Sequence, residues 1–283
     1  MKLGVSSYSF SKYMEASGAN YLDICNEAKR IGYEGIEFID LSLDVQKAGS
    51  LEELAENIRA HCEKIGLEIV AYTVGADFLN RGPEEVDRIK RQVDIAELLG
   101  AKVLRHDATW SLPEGVTWRE AIEKIKAPIR EVASYAQKKG IRTCTENHGY
   151  ILQDSGRVEE LIRAVDHPNY GWLIDIGNFL CVDEPALHAV PLAAPYAVHV
   201  HAKDFLYRPA WEKNPGKGWF DTRNGSHLRG TVAGHGVVPI AWCLDTLRKS
   251  GYVGWVSYEF EGMEDCLAAI EAAYEYLKPL VKA

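Results

Sequence analysis

Eight short runs of apolar residues, each followed by a segment with apolar residues three and four apart, divide the chain from end to end. The runs are Leu3–Phe10, Gly35–Leu41, Glu68–Val74, Lys102–His106, Ile141–Asn147, Gly171–Ile176, Ala197–Lys203 and Gly254–Phe260. Most are rich in Val, Ile and aromatic residues and nearly continuous in apolar character, which predicts strands buried on both faces. The intervening segments read as amphipathic helices. In Leu51–Ile65, for example, Leu51, Leu54, Ala55, Ile58, Cys62 and Ile65 make one stripe. Helix starts are marked by Ser50, by Pro83-Glu-Glu and by Thr117 with Glu120 three residues on. Gly32, Gly66, Gly100, Gly140 and Gly251 mark the ends, each just before a new strand. Eight repeats of one strand–helix unit predict a parallel sheet closed into a (β/α)8 TIM barrel.

No linker is rich enough in Pro, Gly or Ser to divide the chain, so residues 1–283 read as a single barrel domain. One stretch, Leu206–Gly236, shows no element and holds Trp211, Trp219, Phe220, Arg223, Arg229 and six glycines. A long irregular loop after the seventh strand reads as a lid or substrate-binding insert, and otherwise as a decoration that packs on a partner subunit.

The formal net charge of −9 argues against a nucleic-acid partner, which would require a basic face. Six scattered cysteines without a C-x-x-C pair read as reduced core thiols. The first ten residues carry one basic group and too short an apolar run for a secretory signal. No stretch reaches the roughly 20 apolar residues of a membrane span. The expected location is therefore the cytoplasm, with no membrane association.

Four ligand-type side chains fall near the ends of successive strands: Glu146, Asp175, His201 and Glu259. Charge at a buried strand end is costly unless it is paired. Alternation along a strand allows all four to point inward at the mouth where barrel active sites lie. Two Glu, one Asp and one His suit a divalent cation. A cation bound to a sugar carbonyl acidifies the adjacent C–H, and glutamates on strands five and eight could remove and return that proton.

Softer candidates each carry two readings. Glu37, His106 and His148 could touch substrate hydroxyls or be buried groups with one hydrogen bond. Lys203 and Asp204 could orient His201 or form an ordinary ion pair. Arg229 could clamp substrate oxygens or serve its glycine-rich loop, and His235 is similarly open. Tyr8, Phe10, Phe38, Trp110 and Phe205 could wall a sugar ring or belong to the core.

Five phrases carry a resemblance over nearly the whole length: Glu146-Asn-His-Gly149, Asp175-Ile-Gly-Asn178, His199-Val-His-Ala-Lys-Asp204, Gly234-His-Gly-Val-Val-Pro239 and Gly251-Tyr-Val-Gly-Trp-Val-Ser-Tyr-Glu-Phe-Glu-Gly262. They resemble the xylose-isomerase-like TIM barrels, a family of sugar isomerases, ketose 3-epimerases, hydroxypyruvate isomerase, inosose dehydratase and type IV endonucleases. The resemblance implies one divalent ion, Mn²⁺ first and Mg²⁺, Co²⁺ or Zn²⁺ as alternatives, on Glu146, Asp175, His201 and Glu259. It implies that Glu146 and Glu259 are the catalytic pair, and it leaves a homo-oligomer open. Asn178 stands where several branches carry His, which with the acidic charge disfavours the three-zinc DNA-repair branch. No phosphate-cradling glycine loop separates free sugars from sugar phosphates.

The expected activity is a metal-dependent isomerase or epimerase on a ketose, oxidised sugar or polyol. The alternative is a lyase of the inosose dehydratase type. A non-catalytic sugar-binding barrel fits less well, because the ligand quartet is intact.

Overall fold

A computed structural model describes residues 1–282. Its strands are β1 (Lys2–Ser6), β2 (Gly35–Ile39), β3 (Glu68–Val74), β4 (Val103–His106), β5 (Arg142–Glu146), β6 (Tyr170–Asp175), β7 (Ala197–Ala202), β8 (Asp204–Arg208), β9 (Phe220–Asp221), β10 (His227–Thr231) and β11 (Trp255–Tyr258). Eight of them close a parallel barrel in the order β1-β11-β7-β6-β5-β4-β3-β2, the single-domain TIM barrel that the repeated units predict. The helices are α1 (Ser11–Ser17), α2 (Tyr21–Ile31), α3 (Leu51–Ile65), α4 (Pro83–Leu99), α5 (Trp118–Lys138), α6 (Ser155–Val165), α7 (Ala186–Ala193), α8 (Ile240–Lys249) and α9 (Cys266–Lys282). None of the described helices is long and apolar enough to cross a membrane.

Local chemistry explains the boundaries. Asn20 with Asp23, and Thr117 with Glu120, form reciprocal capping boxes at the starts of α2 and α5. Gly66 and Gly100 end α3 and α4 in the left-handed conformation that costs glycine least. The stripe on α3 buries Leu54, Ala55, Ile58 and Cys62 against the barrel. All six cysteines are free and buried, with Cys25 and Cys62 facing each other across α2 and α3 at 3.5 Å.

Two expectations need correction. The first strand ends at Ser6 instead of continuing to Phe10. Ser6 Oγ accepts from the Tyr8 N–H, and Ser7–Phe10 wind into a 3₁₀ turn that buries Phe10. The stretch 206–236 is not irregular either. It contains most of a three-stranded antiparallel sheet, β8-β10-β9, with Leu228 paired to both Tyr207 and Phe220.

Register places the chemistry. Asp175 pairs with His201 across β6 and β7, and Glu146 closes β5 beside Leu173. Glu259 follows β11 directly, and its N–H donates to the Ala202 carbonyl at 3.1 Å. All four lie at the C-terminal end of the barrel.

Candidate metal centre at the barrel mouth

Glu146, Asp175, His201 and Glu259 each offer a ligand atom, and these atoms lie within 4.8 Å of one another. From His201 Nδ1 the carboxylate oxygens stand at 3.7 Å (Glu259), 3.8 Å (Asp175) and 3.9 Å (Glu146). His201 Nδ1 is buried without a hydrogen-bond partner, and Asp175 Oδ2 makes no hydrogen bond and is balanced only by its ion pair with Lys203 at 3.2 Å. Leaving a buried polar atom unsatisfied is costly, and an unpartnered imidazole nitrogen among three carboxylates is what a divalent cation would satisfy. The residues fit the ion.

The surrounding groups fix these ligands in place. His201 Nε2 lies 2.8 Å from Glu37 Oε2, a carboxylate that can only accept. In the neutral ring that a metal requires, the proton therefore resides on Nε2, and Nδ1 is left as the ligand atom. Glu37 also meets His199 Nε2 at 3.1 Å and accepts from the Thr73 hydroxyl at 2.6 Å. Asp175 Oδ1 accepts from the Gly177 and Asn178 N–H groups, which directs Oδ2 to the cluster. Asn147 ties β5 to β6, donating to the Asp175 carbonyl and accepting from the Asp175 N–H and the Trp172 indole.

Cations offset the carboxylates from two sides. Lys203 Nζ lies 2.6 Å from Glu259, 2.8 Å from Glu261 and 3.2 Å from Asp175. Arg105 Nη2 lies 2.6 Å from Asp107 and 2.8 Å from Glu146. Burial disfavours the charge of both Glu259 and Asp175, but Lys203 sits closer to Glu259. With His201 it holds Glu259 below the usual carboxylate range, whereas the Asp175 carboxyl is pushed up to about 6. Burial likewise opposes an imidazolium at His201, and Glu37 and Glu259 outweigh it and raise that group well above its ordinary value. A bound ion would take over this charge balance, displacing protons as it binds.

A cleft of about 180 Å³ opens over the cluster, walled by Tyr8, Asp40, Arg105, Asp107, Trp110, His148 and Glu261 among others. His148 is held there by Asp107 at 3.1 Å and packs edge-on against Trp110. Of the eight candidate site residues, the structure brings together Glu146, Asp175, His201, Glu259, Lys203 and His148. His106 points the other way, stacked on Tyr170 and edge-on to Phe78 in the layer between barrel and helices. Burial lowers its pKa to about 4, so it is neutral. Arg229 lies outside the cleft lining, 5.8 Å over the Trp219 ring and 3.7 Å from Glu264.

Glu37 braces histidines rather than facing the cleft, and His235 is exposed in the loop after β10. Asp204 neither orients His201 nor pairs with Lys203. Its carboxylate accepts from the N–H groups of Phe205, Gly234, Gly236 and Val238. Tyr8 and Trp110 line the cleft, whereas Phe10, Phe38 and Phe205 are core residues. Arg105 and Asp107 escaped the sequence reading. The available signal was a guanidinium in a buried strand with an acid two residues on.

Comparison with known proteins agrees with this architecture. The profile of the xylose isomerase-like TIM barrel family matches residues 25–280. The chain belongs to that family. An inosose dehydratase from Lacticaseibacillus casei is 23% identical over 142 residues, 49% of this chain and 47% of the relative, so the match spans about half the relative's length. A zinc-bound structure of the IOLI protein superposes with a TM-score of 0.76 at 18% identity, covering 100% of this chain and 98% of that one. The 3-keto-D-glucoside 4-epimerase YcjR of E. coli superposes with a TM-score of 0.72 at 18% identity, covering 99% of each chain. At these identities the structural likenesses establish the fold. The family scaffold carries both epimerases and dehydratases.

Proposed function

We propose that the protein is a divalent-metal-dependent isomerase or epimerase that moves a proton on the carbon next to a carbonyl of a ketose, oxidised sugar or polyol. The observation that carries this reading is the cluster of Glu146, Asp175, His201 and Glu259, with the unpartnered His201 Nδ1 at its centre. A cation held by these four residues supplies Lewis acidity to a substrate carbonyl. Glu146 and Glu259 come from positions three strands apart around the barrel, so a substrate between them shows one face of its acidic carbon to each. Lys203 keeps Glu259 ionised, and Arg105 with Asn178 fixes the rotamer of Glu146. Tyr8 and Trp110 offer carbon faces to a ring, while Asp107 and His148 offer polar contacts to hydroxyls. The donor set suits a divalent cation, and Mn²⁺ is the first candidate because the family resemblance implies it.

The likeness to an inosose dehydratase supports a second reading, a lyase that removes the same proton and then expels a β-hydroxyl as water. One experiment separates the outcomes: a sugar and polyol panel incubated in D₂O with Mn²⁺ and read by mass spectrometry and ultraviolet absorbance. Deuterium in a product of unchanged formula marks epimerisation or isomerisation, and loss of water with new absorbance marks the lyase. Glu146→Gln and Glu259→Gln should each reduce turnover by at least about a hundredfold, because each keeps a coordinating oxygen but loses the basic site. Near-normal turnover by both, with metal still bound, removes the two glutamates from proton transfer. No exchange into any panel member leaves the sugar-binding barrel.

A further inference from the structure

A second, larger cavity opens beside the metal cleft. It lies between the segment Ser7–Ala19 and the loop after β2, and holds about 510 Å³ against the cleft's 180 Å³. Tyr8, Ile39 and Asp40 line both spaces, which places the two side by side. Sites for molecules larger than a single small ring typically enclose about 300–1,000 Å³. The cleft alone falls below that range, and the neighbouring cavity falls within it.

The lining specifies a class of occupant. Met14, Tyr21 and Val45 present carbon faces, and serine hydroxyls lie between them. Glu15, Asp40 and Asp44 contribute carboxylates, and among the described residues no Lys or Arg lines the cavity. Lys47 stands 3.8 Å from Asp44 but outside the lining, so the inner surface presents carboxylates and no cation, which disfavours a phosphate or a second carboxylate. Alternating carbon faces and acceptors suit the faces and hydroxyls of a neutral sugar ring. Asp40 stands at the junction with φ 39°, a left-handed conformation that Asp tolerates better than most residues. Its N–H donates to the Thr73 carbonyl at 2.9 Å and its Oδ1 accepts from the Gly75 N–H at 3.4 Å, which leaves Oδ2 for a hydroxyl.

We propose that this cavity is a subsite for the second ring of a neutral glycoside whose keto-sugar ring occupies the metal cleft. The proposal rests on the keto-sugar reading above for its first ring, and on the cavity's own lining for the second. It makes the preferred substrate a disaccharide or similar glycoside, and excludes a sugar phosphate extended in this direction.

Binding can be measured apart from turnover. Titration calorimetry on the Mg²⁺-loaded protein would compare D-fructose, fructose 6-phosphate, and lactulose, isomaltulose and leucrose, which attach a second hexose to different hydroxyls of fructose. At least one disaccharide should bind tenfold or more tightly than fructose, and more tightly than fructose 6-phosphate. Val45→Trp should return that disaccharide to the affinity of fructose while leaving fructose unchanged. Ser11→Phe, on another part of the lining, should do the same, and circular dichroism would confirm that both variants are folded. The proposal is overturned if no disaccharide gains over fructose, if fructose 6-phosphate binds best, or if both variants weaken fructose as much as the disaccharide. A retained disaccharide preference without deuterium exchange on any probe would sink the proton-transfer reading and leave the subsite standing. Exchange on fructose without a disaccharide preference would do the reverse.

Discussion

Glu37 has no exposed surface, yet two imidazoles depend on it. Burial works against its charge, but His201 and His199 outweigh burial and hold the carboxyl well below its ordinary range. Its negative charge fixes the His201 tautomer and raises the basicity of Nδ1. Glu37→Gln should therefore weaken Mn²⁺ binding by about ten- to a hundredfold, measured by competition with a chromophoric chelator. Undiminished affinity in a folded variant would show that the ring is held some other way. The same scale explains which residues could be read from the chain. Glu146, Asp175, His201 and Glu259 end buried strands with groups that have no other use there, so strand ends alone point to them. His106 ends the fourth strand and so reads as a candidate, but Arg105 and Asp107 occupy the inward parity of β4 and His106 the outward one. A strand of four residues offers too little alternation to settle that parity from sequence. Arg105 is ordinarily a surface residue type, and its partner Glu146 lies on the next strand, out of reach of any local pattern.

Among elements, the antiparallel sheet of β8, β9 and β10 forms a cap over one side of the barrel mouth. It is attached at several points. Tyr150 Oη donates to the Asp221 carbonyl, Thr222 Oγ1 donates to Asp183, and Arg223 pairs with Asp154. Asp204 gathers the returning loop through four N–H donors. Asp204→Ala leaves buried amides without acceptors and should cost at least about 3 kcal/mol, read by urea unfolding. Amide exchange should speed up selectively at Gly234–Val238. Wild-type unfolding and exchange would show that the clamp is dispensable. The eight barrel strands were legible because each is a short, mostly apolar run, and five of them follow a helix-ending glycine. The cap was not, since β9 is only two residues long, β8 runs out to an exposed end, and β10 mixes His, Arg, Gly and Thr with a single Leu. Its pairing is decided by contacts with the barrel rim, which leave no periodic trace.

For the whole molecule, a formal charge of −9 is accompanied by a local concentration of acids at the mouth, where Glu146, Asp175, Glu259 and Glu261 face Arg105 and Lys203, and Glu37 sits behind His201. An ion that binds only the folded chain stabilises it by mass action, about 2.7 kcal/mol at a hundred times its dissociation constant. For a chain of this size that corresponds to a rise in Tm of roughly 4–5 °C. Thermal unfolding with Mn²⁺ and with excess chelator should differ by this amount in the wild type, and the difference should collapse in Asp175→Asn. Equal Tm values in the wild type would refute a metal centre built on these four residues.

The burial of all six cysteines has a practical consequence. None is more than 7% exposed, so a bulky maleimide dye finds no native thiol at the surface. A single cysteine introduced at Val45, which is 38% exposed beside the larger cavity, would then be the one position that takes the label. A fluorophore carried there would report each arriving molecule by its brightness, before any chemistry has been identified.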